Sequence, residues 1–154
     1  MAGRVDYFGA GAAFGVWWVD DSGVNAEERA EGVIRTMSGD PIAAAGRNVG
    51  EMRIGDRTVH IDKGSVVAVG VIVGDGRRVD AGGEGWLAEV ALSDLAAPIE
   101  VSALPYEFKI EAGPPGPFSR QGFLQPGTCF PVVLSAASRL ARRLGPLDAD
   151  WTWE

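Results

Sequence analysis

Twenty-two glycines and nine prolines punctuate this 154-residue chain, gathered in clusters between short apolar runs. Glycine frees the backbone for tight turns, and proline removes the N–H that a helix or ladder needs. Runs such as Ser38-Gly39-Asp40-Pro41 and Gly113-Pro114-Pro115-Gly116-Pro117 therefore break any long helix or strand that meets them. The chain must be assembled from many short elements joined by turns.

One domain fits this length, and it can bury a core without disulfides or metals. The composition, 46% hydrophobic and 23% charged, is that of a globular protein. Cys129 is the only cysteine, so no intrachain disulfide can form, and its apolar neighbours suit a buried thiol better than a nucleophile. No stretch reaches the length of a membrane span. Residues 1–13 are rich in Gly and Ala but lack the basic start and apolar core of a signal peptide, so the expected location is cytoplasmic. The formal net charge of −7 opposes non-specific attachment to phosphate backbones and anionic lipid.

Along the chain, residues 1–13 read as a loose leader, 14–145 as the domain and 146–154 as a tail. Phe14 to Val19 is an apolar, aromatic run expected to be a buried strand. Asp20 to Gly23 end it with helix-capping chemistry, and the stripe of Val24, Ala26, Ala30, Val33, Ile34 and Met37 predicts a helix over 25–37. Arg57 to Asp62 alternates and reads as a half-exposed strand, Lys63-Gly64 as a turn, and Ser65 to Val73 as a central strand. Gly74 to Gly85 reads as an exposed loop, Trp86 to Leu92 as a strand, and Ser93 to Pro98 as a turn. Ile99 to Tyr106 holds a short element, 113–117 a stiff loop, and Gln125 to Leu134 apolar character again. Ser135 caps a last helix, Ala136 to Leu144. These elements predict an α+β fold: a mixed sheet of about five or six strands curled into a barrel, with two helices packed outside.

The ordered string Trp17-Trp18-Val19, Glu28-Arg29 with Gly32, Asn48, Gly55-Asp56, His60 and Val67 to Gly70 resembles the EVE domain family. It is most similar to the EVE-like N-terminal modules of modification-dependent restriction endonucleases. Gly85-Trp86, Glu89-Val90, Leu104-Pro105, Gly116-Pro117-Phe118, Gly122 and Phe130-Pro131 continue the likeness, which spans roughly residues 14 to 144. EVE domains belong to the PUA-like group with YTH and ASCH domains. The resemblance implies a pseudo-barrel whose concave pocket takes up a flipped or single-stranded modified base. Stacking on an aromatic face returns about 1–3 kcal/mol against the few kcal/mol of unstacking. Three departures stand out: Asp20 and Asp21 follow the tryptophan pair in place of amides, Gly46 replaces a tryptophan before Asn48, and Val33-Ile34 replace an aromatic after Gly32.

The candidate ligand-binding residues are Trp17, Trp18, Asp20, Asn48, Ser119 and Arg120. Each has a plainer reading. The indoles can pack in the core, and on one strand only one can face a pocket. Asp20 can cap a helix, or accept a hydrogen bond at a pocket rim. Asn48, between Gly46 and Gly50, can serve a turn or offer a pocket amide. Ser119 and Arg120 form a polar loop that the resemblance places near the binding face, where Arg120 can reach phosphate. His60, the only histidine, reads as a hydrogen-bonding strand residue with no partner set for zinc. No nucleophile elbow and no His-Glu-x-x-His appear, so no catalytic residue, metal or cofactor is assigned. The leading reading is a non-catalytic binding module for DNA or RNA carrying a modified base. The alternative is a protein-interaction or regulatory protein, of defence or immunity type, on a diverged scaffold of the same kind. A small-molecule binder comes third.

Overall fold

The structure is a computed structural model that describes residues 14–20, 31–36, 48–79, 85–114, 116–124 and 129–144. Six strands make one sheet: β1 (Val16–Asp20), β2 (Val33–Thr36), β3 (Arg57–Asp62), β4 (Ser65–Val79), β5 (Gly85–Glu100) and β6 (Cys129–Pro131). Their order is β2-β5-β4-β3-β1-β6. β1 and β3 run parallel, and every other pairing is antiparallel. Helix α1 spans Tyr106–Glu111 and α2 spans Leu134–Leu144, and a 3-10 turn covers Asn48–Glu51. This is the α+β plan of a curled sheet with two helices that the short elements imply.

The sheet has an apolar cluster on each face. Strand alternation sends Val16 and Trp18 of β1 one way, with Val59, Ile61, Phe130 and the helix residues Phe108, Ala136, Ala137 and Leu140. It sends Trp17 and Val19 the other way, with Ile34, Val49, Met52, Ile72, Ala88, Val90 and Cys129. The second cluster joins Ile34 on edge strand β2 to Cys129 on edge strand β6. Edges that meet in one cluster mean the sheet is curled, and this cluster fills the concave side. The Asn48–Glu51 turn contributes Val49 to it. The helices cover the convex side.

Several expectations need correction. Residues 33–36 are strand β2, paired with Glu89 to Trp86, and not the end of a helix. Glu31 is helical, but Gly32 takes φ 71, the left-handed conformation in which helices commonly stop. A Cβ there would also lie 2.9 Å from the Val90 carbonyl oxygen. The expected helix residues 25–30 and 37, the leader and the tail lie outside the described residues.

β3 is not half-exposed: Thr58, Val59, His60 and Ile61 are all buried, because β3 lies between β1 and β4 and both faces are covered. Gly74 to Val79, expected as loop, continue β4 with irregular register. Ser93 to Pro98 lie within β5. The expected turn survives as an interruption: the ladder passes from Val66–Ile99 to Ala68–Asp94, so Leu95 to Pro98 stand opposite the single residue Val67. Pro98, which has no N–H to give, sits inside that bulge. Ser135 lies within α2, which begins at Leu134. Helix α1 was not anticipated.

Candidate functional site

β1 carries the two candidate indoles. Trp17 and Trp18 are each 0% exposed, so neither indole reaches the surface in this state. The rule that only one residue of a strand pair faces a pocket is sound, yet both indoles are covered because both faces of β1 are covered.

Trp17 lies on the concave side, and its Nε1–H donates to Asp56 Oδ2 at 3.0 Å. Asp56 also accepts from the Gly15 N–H at Oδ1, 2.8 Å, and from the Arg53 N–H at Oδ2, 3.0 Å. This carboxylate, 1% exposed, ties the start of β1 to the turn before β3. It belongs to the Gly55-Asp56 pair of the family-like string, where nothing in the sequence points to a bond with Trp17.

Trp18 lies on the convex side against two rings. Its centroid is 5.4 Å from Phe118, in an edge-to-face arrangement, and 6.0 Å from Phe108. Phe108 and Phe118 are 5.7 Å apart at an interplanar angle of 82°. The Trp18 Nε1–H is buried in this wall with no hydrogen-bond partner among the described residues. An unmet buried donor costs about 1–3 kcal/mol. Phe108 went unnoticed in the sequence, since nothing in Tyr106 to Glu111 marks a helix except its apolar spacing. Phe118 was visible within the Gly116-Pro117-Phe118 string.

The other candidates fall into two groups. Asn48 belongs with the concave side: its Nδ2 donates to the Cys129 carbonyl oxygen at 3.0 Å, fixing the 3-10 turn to β6. Cys129 in turn pairs with Val19. Asp20 ends β1 opposite Ile61 and shares the strand parity of Trp18. Ser119 and Arg120 follow Phe118 directly in a tight turn. The Ser119 N–H donates to the Phe123 carbonyl oxygen at 2.7 Å, the Phe123 N–H donates to Ser119 Oγ at 3.1 Å, and Gly122, at φ 87, closes the turn. Arg120 stands exposed at its tip. Trp18 and, by strand alternation, Asp20 thus share the convex side with Phe118, which directly precedes Ser119 and Arg120, whereas Trp17 and Asn48 belong with the concave side.

His60 is buried on the concave side, with Nε2 2.7 Å from Thr58 Oγ1. Among the described residues, no group of three or more His, Cys, Asp or Glu side chains is placed to hold a metal ion, and no helix is long and apolar enough to cross a membrane.

No family model and no curated protein matches this chain. Solved structures do. A hypothetical protein from Leishmania major is similar at TM-score 0.61 and 11% identity, over 85% of this chain and 94% of that one. Human THYN1, in complex with 5-methylcytosine-containing DNA, is similar at TM-score 0.57 and 11% identity, over 86% and 99%. The YTH domain of the Zygosaccharomyces rouxii MRB1 protein, in complex with N6-methyladenosine RNA, is similar at TM-score 0.56 and 8% identity, over 88% and 90%. The six-stranded curled sheet with its two helices is thus a PUA-like fold of the EVE and YTH kind.

Proposed function

We propose that this chain is a non-catalytic nucleic-acid-binding module that takes a flipped, modified base against Trp18. The observation that carries this reading is the Trp18 N–H: a buried donor without an acceptor among the described residues, walled by Phe108 and Phe118, beside the turn that bears Ser119 and Arg120. A nucleobase supplies what that position lacks. It brings a carbonyl oxygen or ring nitrogen to accept the N–H and a flat face to stack on the indole. Asp20 serves at the rim as an acceptor for an exocyclic amine, and Ser119 and Arg120 hold the flanking phosphate. Trp17 and Asn48 support the site from behind, pinning β1 and β6 through Asp56 and the Cys129 carbonyl. Entry of a base requires the Phe118 or Phe108 ring to give way. Both rings sit on short elements, an irregular segment and a six-residue helix.

The fold supports this reading, since THYN1 and the MRB1 YTH domain were solved holding methylated DNA and N6-methyladenosine RNA. The likeness to restriction-endonuclease modules extends it to a detached specificity module of a defence system, acting in the cytoplasm.

A second reading has its own observation: both indoles are covered and the net charge is −7. Under it the chain is a protein-interaction or regulatory protein on a diverged EVE-like scaffold.

Titration with labelled oligonucleotides carrying 5-methylcytosine or N6-methyladenine, against unmodified controls, at about 50 and 150 mM salt separates the two. The reader binds one modified strand more tightly than its control. Trp18→Phe, which keeps a ring but removes the N–H, loses that preference while circular dichroism stays native. Absence of binding to every oligonucleotide at the lower salt defeats the reader and leaves the second reading.

A further inference from the structure

Residues 101–144 hold five basic side chains and two acidic ones, whereas the rest of the chain holds nine basic and nineteen acidic. An acidic protein thus carries one basic stretch, borne by α1, the turn after it and the α2 helix packed beside α1. α1, the 119–124 turn and α2 contribute Lys109, Arg120, Arg139, Arg142 and Arg143. Arg139 is tied to Glu111 of α1, which turns that flank of α2 toward α1. Arg142 and Arg143 follow three and four residues later on the same flank.

The same face exposes aromatic rings. Tyr106 is 63% exposed and Phe123 72% exposed, with Ile110 beside them at 41%. They adjoin one another: a Cβ built on Gly122 would lie 3.3 Å from Tyr106 Cε2 and 3.8 Å from Lys109 Cβ, and Phe123 is the next residue. The inner sides of these two elements supply Phe108 and Phe118 to the wall around Trp18. Their outer sides are covered by nothing among the described residues.

We propose that this outer face is a platform for single-stranded nucleic acid, on which unpaired bases stack against Tyr106 and Phe123 while Lys109, Arg120, Arg142 and Arg143 neutralise the phosphates. Exposed flat rings interleaved with cations are what a strand of either sugar type needs, because every base has a π-face and every linkage a charge. Charge complementarity selects this occupant: the rest of the surface, strongly acidic, repels the strand and confines it to this face. The inference rests on the nucleic-acid reading but not on Trp18.

The test is fluorescence anisotropy with an unmodified, labelled single strand of about twelve nucleotides, a length within the range such platforms cover. Affinity falls with salt at a log–log slope of about −2 to −3, for three or four neutralised phosphates. Tyr106→Ala and Phe123→Ala, both at exposed positions, each weaken binding at least about fivefold. Arg120→Gln combined with Arg143→Gln flattens the slope by about 1.4. If the aromatic variants bind the unmodified strand like the wild type, the platform is overturned, whatever preference for a methylated base the protein shows. Binding through the platform without methyl preference supports it and overturns the Trp18 pocket instead. Two other results overturn it: concentration-dependent dimerisation in sedimentation that Phe123→Ala abolishes, and binding to phosphatidylserine vesicles with no affinity for the strand.

Discussion

Asp56 ties three parts of this molecule together: the start of β1, the Trp17 indole and the turn before β3. Its two carboxylate oxygens meet three N–H donors, from Gly15, Trp17 and Arg53, at a buried position. Its backbone adds to the knot, since its carbonyl accepts from the Ile72 N–H at 2.8 Å. A carboxylate suits three donors because it only accepts; an amide of the same shape must turn an NH2 toward one of them. Asp56→Asn is therefore no mild change. It leaves donors facing a donor and should cost about 2–3 kcal/mol, close to the cost of Asp56→Ala. Urea unfolding measures it, and a loss under about 0.5 kcal/mol for the asparagine variant would show that the three bonds contribute little. Sequence could place Asp56 at a turn, since Gly55 takes φ 94 there, but not at the end of an indole 39 positions away. The tryptophan pair has the same character. Its strand was legible from Phe14 to Val19, and the covering of both faces was not, because that depends on where α1 and the 3-10 turn come to rest.

Elements with a strong local signal came through with little change. Arg57–Asp62 is strand from end to end, and Lys63-Gly64 turns the chain with both residues at positive φ, 50 and 81, as a two-residue hairpin requires. The misread elements are those in which a tertiary contact decides. Val33–Thr36 carries a helical apolar spacing, yet Gly32 takes the left-handed φ of 71 and β5 supplies a ladder for the strand. Gly74-Asp75-Gly76 has the composition of a loop because one glycine is needed for close approach. The Gly76 N–H donates to the Met52 carbonyl at 2.9 Å, and a Cβ at Gly76 would come 2.0 Å from the Val49 carbonyl oxygen. The 3-10 turn is thus laid directly on the β4 backbone. Gly76→Ala must push the turn away, loosening Val49 and Met52 in the concave cluster at a cost of about 1–3 kcal/mol. Amide hydrogen exchange locates the effect: protection should fall at Met52 and Gly76 while β3 is unchanged. Uniform loss across the sheet would contradict a local displacement.

At the scale of the whole molecule, the question is whether two clusters make two folding units or one. They are separated by the sheet itself, with helix residues in one and the 3-10 turn in the other. Consecutive residues of β1, Trp17 and Trp18, belong to different clusters, so neither can come apart without losing the strand that serves both. β1 is also held on both sides, parallel to β3 and antiparallel to β6. Such sharing predicts a single cooperative transition. Phe108→Ala, in the convex cluster, should cost about 3–5 kcal/mol, and Met52→Ala, in the concave one, about 2–5 kcal/mol. In each variant, tryptophan fluorescence and far-ultraviolet circular dichroism should trace one coincident curve at a lower denaturant midpoint with an unchanged slope. If Phe108→Ala instead splits the fluorescence transition from the circular dichroism, the helical layer opens independently of the sheet. That outcome would make the wall around Trp18 a separable lid, and it would give a base a route to the buried N–H without unfolding the barrel.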